Sequence, residues 1–215
     1  MATYEYKTPI SENEIRKLKV NDILYLSGIL VTARDQIHEK ALEIAKEGVS
    51  LPVNLEGLAV FHCGPIVAKR NEEWVVIAAG PTTSTRMEPY EDKFIGAFKP
   101  RVIIGKGGMG KRTTKAMVKY GAVYCSFTGG AAALAAKAIR RVVDVKWLDL
   151  GMPEAMWVFE VEKFGPLVVT IDSFGSNLYA EVADQVEANR RKIFQKLGLY
   201  PKRHLTKGHN IGKFS

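Results

Sequence analysis

Two periods of hydrophobic residues run through this chain and predict an alternation of strands and helices. Short apolar runs rich in Val, Ile and aromatic residues predict strands, whereas apolar residues spaced three and four apart predict amphipathic helices. The predicted strands cover residues 23–32, 58–69, 74–79, 101–104, 123–126, 142–148, 156–161 and 167–171. The predicted helices cover residues 11–18, 34–47, 111–119, 131–141 and 177–197.

Single residues mark the ends and turns of these segments. Ser11 and Glu14 have the spacing of a capping box, which predicts a helix start at this point. Gly28 indicates a bulge in the first predicted strand. Asn71 and Glu72 separate residues 58–69 from 74–79, so these two segments are expected to form a hairpin.

The order of the segments predicts an α/β fold with a mixed sheet and covering helices. Strands alternate with helices in the middle of the chain, whereas paired strands occur near residues 58–79 and 142–171. A pure doubly wound sheet is therefore excluded. With 215 residues, 47% of them hydrophobic, and no internal repeat, the simplest expectation is one domain over residues 1–215, with a C-terminal helix and basic tail over 186–215.

The formal net charge of +8 suits nucleic acid, an anionic surface or acidic small substrates. Lys and Arg are spread along the chain, and the dense runs are 190–192 and the tail 202–213. No aromatic sheet signature or zinc-finger spacing accompanies them. Nucleic-acid binding is therefore the minority interpretation.

The cysteine count and the hydropathy pattern exclude other classes. Cys63 and Cys125 can form neither a disulfide framework nor the set of three or four thiolates that an iron–sulfur cluster requires. Any cluster must then be held by another chain. Residues 1–16 lack the apolar core of a signal peptide, and the uncharged stretch 120–136 is too short and too polar to span a bilayer. We expect a soluble, cytoplasmic protein.

Two loops that follow predicted strands carry the candidate chemistry. In residues 80–87, GPTTSTRM, four hydroxyl side chains precede Arg86, whose planar guanidinium can bind a carboxylate bidentately. In residues 105–109, GKGGM, Lys106 lies among glycines that let a ligand approach the backbone. Each loop alone is also compatible with an ordinary turn. A phosphate-binding P-loop is rejected, because Arg112 stands where its Ser or Thr should be.

Six ordered segments resemble the β subunit of the two-subunit class I fumarate hydratases and L-tartrate dehydratases. The resemblance covers about residues 5–185, nearly the whole chain. The segments are 32–38 (TARDQIH), 80–87 (GPTTSTRM), 105–109 (GKGGM), 129–132 (GGAA), 149–154 (DLGMPE) and 164–172 (FGPLVVTID).

The resemblance implies a swivelling β/β/α domain that closes over a cluster-bearing α subunit, in an α2β2-type heteromer. It also implies a [4Fe–4S] cluster held by three cysteines of the α subunit and not by this chain. The open iron of that cluster would bind the carboxylate and hydroxyl of a small dicarboxylate. This implication agrees with the shortage of cysteines here.

Carried over residue by residue, the resemblance assigns four site residues. Arg34, Arg86 and Lys106 would bind and orient the dicarboxylate and stabilise the charge that develops when a proton leaves the carbon next to a carboxylate. Thr82 is the candidate for moving that proton, and Lys106 is counted with it as catalytic. Each has a structural alternative, because Arg34 at a helix start is commonly a surface residue and Thr82 is commonly a loop cap.

Five other residues stay outside this set. His38 lies one turn after Arg34 and either lines the site or is a structural histidine. His62 and Cys63, inside a predicted strand, are expected to be core residues. Asp172 and Asn177, near a strand end, are candidates for orienting the site but are left outside the assigned residues.

The implied activity is reversible hydration of fumarate to L-malate by an enzyme that is active only with its α subunit. Dehydration of L-tartrate to oxaloacetate is the alternative within the same chemistry, because both substrates carry two carboxylates. A non-enzymatic module whose basic loops bind nucleic acid or phosphate is the alternative from a different class.

Overall fold

The computed structural model describes residues 1–199, and within them the chain forms nine strands and six α-helices. The strands are β1 (Thr3–Lys7), β2 (Ile23–Thr32), β3 (Ala59–Phe61), β4 (Ile66–Arg70), β5 (Glu73–Ala78), β6 (Val102–Gly105), β7 (Val123–Ser126), β8 (Ile139–Lys146) and β9 (Met156–Ile171). The helices are α1 (Glu12–Ile15), α2 (Asp35–Lys46), α3 (Glu88–Phe98), α4 (Lys111–Tyr120), α5 (Ala132–Ala138) and α6 (Leu178–Lys196). The predicted tail over 202–213 lies outside the described residues.

Seven strands form one mixed sheet in the order β1-β2-β3-β6-β7-β9-β8. Strands β1, β2, β3, β6 and β7 pair in parallel, whereas β9 runs antiparallel to β7 and β8. Strand β9 also pairs with β2, so the sheet closes on itself through β2, β3, β6, β7 and β9. The predicted α/β class with a mixed sheet and covering helices is confirmed.

Alternating residues of the strands feed two hydrophobic clusters on opposite faces of the sheet. In β3, Phe61 belongs to the first cluster and Val60 to the second, and β6 repeats this alternation with Ile104 and Ile103. Helices α2, α3 and α4 cover the second face, while the β4–β5 hairpin and α5 contribute residues packed on the first. The carboxyl ends of the parallel strands are therefore held in a rigid frame.

Several local predictions are confirmed. The Ser11–Glu14 capping box opens α1. Gly28 has a φ of 97° and lies at a register shift between β2 and β9, and a Cβ there would meet the Thr8 hydroxyl at 2.6 Å. Gly121 ends α4 in the left-handed region. These positions required glycine or a capping residue for reasons that the local sequence shows.

Other boundaries were wrong. The predicted strand 58–69 breaks after Phe61, since Gly64 and Pro65 interrupt it, and only β4 and β5 form the hairpin. The predicted helix 131–141 ends at Ala138, because the β-branched run that begins at Ile139 pairs with β9.

The structure also joins and adds elements. The predicted strands 156–161 and 167–171 are one strand, β9, because Phe164 pairs with Leu26 of β2 and Leu167 pairs with Leu24, on either side of Gly165-Pro166. Strand β1 and helix α3 were not predicted. Pro89 lies in the first turn of α3, where a proline is tolerated. The same helix places the buried Glu91 beneath the candidate site.

The chain forms two units, residues 1–179 and 180–215. The first contains all nine strands of the described residues, and the described part of the second is the remainder of α6. The single domain over 1–215 stays a prediction. No helix within residues 1–199 has both the length and the hydropathy needed to cross a membrane.

Candidate functional site

Three neighbouring parallel strands end at one edge of the sheet, and two predicted site residues lie just beyond them. Strand β3 lies between β2 and β6, so the carboxyl ends of all three are adjacent. Arg34 follows β2, His62 follows β3 and Lys106 follows β6. Ligands of α/β sheets bind outside the carboxyl ends of the strands, so Arg34 and Lys106 lie where a small ligand can reach them.

The hydroxyl-rich loop inserts between the ends of β3 and β6. The Thr82 N–H donates to the His62 carbonyl at 2.7 Å, and the Lys106 N–H donates to the Thr82 carbonyl at 3.3 Å. The Ser84 N–H in turn donates to the Lys106 carbonyl at 2.8 Å. The loop thus acts as an extra strand segment that places Thr82, half-buried, beside Lys106.

Gly105 lets this loop approach the end of β6. A Cβ at Gly105 would lie 1.9 Å from the Ser84 hydroxyl oxygen and 3.3 Å from Nδ1 of His62. The glycine is therefore explained by packing of the protein against itself and not by the approach of a ligand.

Arg34 occupies the N-cap position of α2, where its side chain makes no capping bond. Its guanidinium Nη2 lies 3.0 Å from Oε1 of Glu154, and both side chains are mostly buried. A Cβ at Gly64 would lie 2.6 Å from Nη1 of Arg34, so the guanidinium lies against bare backbone. These contacts fix the orientation of the Arg34 side chain.

Arg86 lies in a 3₁₀ turn, Ser84–Met87, and forms a two-nitrogen ion pair with Asp35. Nε donates to Oδ1 of Asp35 at 3.1 Å, and the Arg86 side chain is 46% exposed. Hydrogen bonding from Arg86 lowers the pKa of the Asp35 carboxyl. Because Asp35 follows Arg34 in the chain, this pair draws Arg86 toward the end of β2.

Lys106 is exposed and is flanked by glycines, of which Gly107 and Gly108 have φ values of 79° and 73°. Within residues 1–199, its ammonium group forms no ion pair. The structure therefore brings all four predicted residues to one edge, with two guanidinium groups held by carboxylates and one free ammonium group. Their roles in catalysis stay a prediction.

A buried polar chain lies directly beneath this edge. Oε2 of Glu91 in α3 lies 3.1 Å from Nε2 of His38 and 3.1 Å from Nε2 of His62, and all three side chains are fully buried. Nδ1 of His38 lies 2.7 Å from the Arg34 carbonyl, and Nδ1 of His62 lies 2.9 Å from the Ser84 hydroxyl. His38 is thus structural and does not line the surface, and His62 is a member of a polar network.

The protonation states of Glu91, His38 and His62 follow from burial and from their mutual charges. Burial opposes ionisation of Glu91, but the two imidazoles outweigh it and lower the pKa of Glu91 to about 2. Burial lowers the pKa of both histidines. For His38 the Glu91 charge outweighs burial and the pKa rises, whereas for His62 burial dominates and the pKa falls. The Glu91 charge thus favours the protonated imidazole of His38, whereas burial favours the neutral imidazole of His62.

The two cysteines do not fit the [4Fe–4S] cluster that the resemblance implies. Cys63 and Cys125 are both buried, and burial raises the pKa of the Cys63 thiol to about 12 and that of Cys125 as well. A cluster needs three or four accessible thiolates, so these residues cannot hold it. The expectation that Cys63 is a core residue agrees with this burial.

Asp172 and Asn177 hold local structure, and Asn177 also contacts the loop that carries Lys106. Asp172 accepts backbone N–H groups from Val20, Phe174 and Ser176 at 3.0 to 3.2 Å. Asn177 donates to the Met109 carbonyl at 3.1 Å and accepts the Tyr179 N–H at 3.0 Å. Both organise the chain after β9.

Sequence reasoning missed the acidic residues that hold the cations. Glu154 and Asp35 lie within the segments 149–154 and 32–38, and the presence of a carboxylate in each of these segments was the available signal. Glu91 gave no signal, because it lies on the helix that was not predicted.

A fold that presents three cationic residues beside a threonine at the carboxyl edge of parallel strands is suited to a small anionic ligand. A family model described as "Fumarase C-terminus" matches residues 3–182. The chain belongs to this family.

Two relatives show what the family includes. The chain is 43% identical over 190 residues to the "L(+)-tartrate dehydratase subunit beta" of Escherichia coli K12, a match that covers 88% of this chain and 93% of that protein. It is 43% identical over 177 residues to the "Putative fumarate hydratase class I" of Geobacillus stearothermophilus, covering 82% of this chain and 33% of that longer protein. Both names describe hydro-lyases.

Proposed function

We propose that this chain is the β subunit of an iron–sulfur hydro-lyase that reversibly hydrates fumarate to L-malate. The observation that carries the proposal is the placement of Arg34, Arg86, Lys106 and Thr82 at one edge of the sheet. A C4 dicarboxylate presents two negative groups, and such a cluster of cations can bind and orient it.

The residues of this chain have distinct tasks in that reaction. The two guanidinium groups bind the substrate carboxylates, Arg34 held in place by Glu154 and Arg86 released from its pair with Asp35. The ammonium of Lys106 stabilises the negative charge that develops when a proton leaves the carbon beside a carboxylate. The hydroxyl of Thr82, held beside Lys106 through the backbone, is the group that moves this proton.

The cluster and the remaining groups are assigned to a partner α subunit. The buried thiols of Cys63 and Cys125 do not fit cluster binding, which supports placing the [4Fe–4S] cluster on the partner. The name of the Escherichia coli relative includes "subunit beta", which supports a heteromer, and we propose an α2β2-type assembly.

L-Tartrate is the second candidate substrate, with dehydration to oxaloacetate as its reaction. The names of several relatives favour it, including the tartrate dehydratase subunit of Escherichia coli. The two substrates share both carboxylates and differ in the groups on the central carbons. The four residues of this edge therefore suit both, and kinetics must separate them.

The test is the rate of each reaction by this chain alone and after anaerobic assembly with its cysteine-bearing partner, iron and sulfide. We expect activity only in the assembled pair, with kcat/KM higher for fumarate hydration than for L-tartrate dehydration. Lys106→Ala should lower kcat by about 10²-fold or more, while Lys115→Ala, an exposed lysine of α4, should leave it unchanged.

Three results would count against the proposal in different ways. A preference for L-tartrate would move the assignment to the second candidate. Normal turnover by Lys106→Ala would remove that residue from the site. If the assembled pair contains the cluster but is inactive with both substrates, the proposal that this protein is an enzyme subunit is wrong. Salt-dependent polynucleotide binding would then support a binding module.

A further inference from the structure

Three titratable side chains are buried beneath the site, and the proposed reaction does not use them. Glu91, His38 and His62 have no exposed surface, and they come from α3, α2 and the end of β3. Burying ionisable groups is costly, and an apolar set of similar volume is often as stable. Stability of the core is therefore a poor explanation for the presence of these three buried side chains.

The two histidines of this buried set each contact a segment that carries a predicted substrate-binding or catalytic residue. At one end, His38 lies 2.7 Å from the Arg34 carbonyl. At the other, the His62 carbonyl accepts the Thr82 N–H at 2.7 Å, and the His62 ring lies 2.9 Å from the hydroxyl of Ser84 in the same loop. Glu91 is the group that joins the two ends.

We propose that Glu91 is a positioning residue whose carboxylate, through His38 and His62, fixes the start of α2 and the Thr82 loop relative to each other. This inference rests on the proposed function, since Arg34 and Thr82 must act on one substrate. A shift of about 1 Å between two such segments can cost on the order of 10²-fold in rate.

The charges are consistent with this coupling. The Glu91 carboxylate lies 3.1 Å from an imidazole nitrogen of each histidine, so its charge is compensated when His38 carries the proton. The Ser84 hydroxyl also accepts from Tyr124 at 3.0 Å, which ties the loop to β7. The linked polar side chains thus run from His38 in α2 to Tyr124 in β7, beneath the ends of the strands that carry the site.

A bound metal ion is the competing explanation. One ligand atom from each of Glu91, His38 and His62 lies within 4.8 Å of the others, a spacing that a cation could also use. The two explanations differ in outcome, because a metal site would hold an ion in stoichiometric amount and would lose it when Glu91 is replaced.

The test compares Glu91→Gln with Asp92→Asn, its neighbour on α3, whose carboxylate pairs with Arg112 at the surface. In the assembled enzyme, Glu91→Gln should lower kcat/KM by about 10- to 100-fold through both a lower kcat and a higher KM. Asp92→Asn should leave both constants within about twofold, on the scale of a surface ion pair. Ser84→Ala, which cuts one link without removing the charge, should lower kcat with little change in KM.

A second measurement needs no activity. Hydrogen exchange of the Thr82 amide in the full chain reports its bond to the His62 carbonyl. We expect exchange at least ten times faster in Glu91→Gln than in the wild type, with no change in Asp92→Asn. If the wild type hydrates or dehydrates neither substrate, the proposed function fails while this measurement still tests the coupling.

Four results would overturn the inference. They are normal kcat and KM in folded Glu91→Gln, unchanged exchange at Thr82 in the same variant, an equal change in Asp92→Asn, and one equivalent of metal in the wild type that Glu91→Gln lacks. If Glu91→Gln does not fold, Ser84→Ala decides, and normal kcat in that variant also overturns it.

Discussion

Replacing Arg86 with alanine should abolish most activity while barely changing stability, and the structure supplies a matched control. Arg86 pairs with Asp35 through two guanidinium nitrogens, with side chains 46% and 31% exposed. Arg112 pairs with Asp92 in the same way, with side chains 52% and 27% exposed. The two pairs differ mainly in their distance from the sheet edge that carries the site.

The expected magnitudes separate the two effects. An ion pair at this exposure contributes about 0.2–1 kcal/mol to stability, so both Arg86→Ala and Arg112→Ala should lower the free energy of unfolding by that amount. Losing one charge contact to the substrate in a site costs about 10²- to 10³-fold in kcat, or roughly 3–4 kcal/mol. Arg86→Ala also leaves the Asp35 carboxylate without its partner beside the substrate, which adds repulsion.

The assay is kcat and KM for fumarate and L-tartrate in the assembled enzyme, with chemical unfolding of each variant chain measured in parallel. Arg86→Ala should lose at least about 10²-fold in kcat/KM relative to Arg112→Ala at similar stability. Activity of Arg86→Ala within about threefold of that of Arg112→Ala would refute the assignment. If Arg86→Ala, and not Arg112→Ala, lowers the free energy of unfolding by several kcal/mol, the role of Arg86 is structural.

Two further predictions concern the frame of the site. Gly105→Ala should lower the free energy of unfolding by about 1–3 kcal/mol, because its Cβ would overlap the Ser84 hydroxyl, whereas Gly129→Ala, whose Cβ would meet its nearest atom at 3.7 Å, should be neutral in chemical unfolding. Equal stability of the two variants would contradict this. Because the pKa of Glu91 is about 2 in the folded chain against 4.5 as its reference, its contribution to stability is present above pH 4.5 and is lost as the pH falls toward 2. The stability of the wild type relative to Glu91→Gln should therefore decrease by on the order of 3 kcal/mol over that range, and a constant difference would contradict it.

The strands and the cationic residues could be predicted because their signals are local. The apolar runs located β2, β6 and β7 to within one or two residues, and the loops after strands pointed to Arg86 and Lys106. The closure of the sheet could not be predicted, since pairing of β2 with β9 joins residues more than a hundred positions apart.

The supports of the site escaped prediction for a related reason. Glu154 meets Arg34 across 120 positions of sequence, and Glu91 meets His62 only because α3 packs beneath the sheet. Sequence shows that a charged residue exists but not which partner folding will bring to it. The glycine at 105 illustrates the same limit, because its small size was predicted to admit a ligand and instead admits the Ser84 side chain.

The two arginines of the edge differ in a way that bears on how a substrate is bound. The Arg34 side chain is 23% exposed, pairs with a Glu154 side chain that is 14% exposed, and lies against the backbone of Gly64, so its guanidinium is held before any ligand arrives. The Arg86 side chain is 46% exposed, and its partner Asp35 can be hydrated when the pair separates. Preorganised contacts cost less on binding, since their entropy is already lost. We therefore expect Arg34 to set the orientation of the first carboxylate and Arg86 to move from Asp35 onto the second.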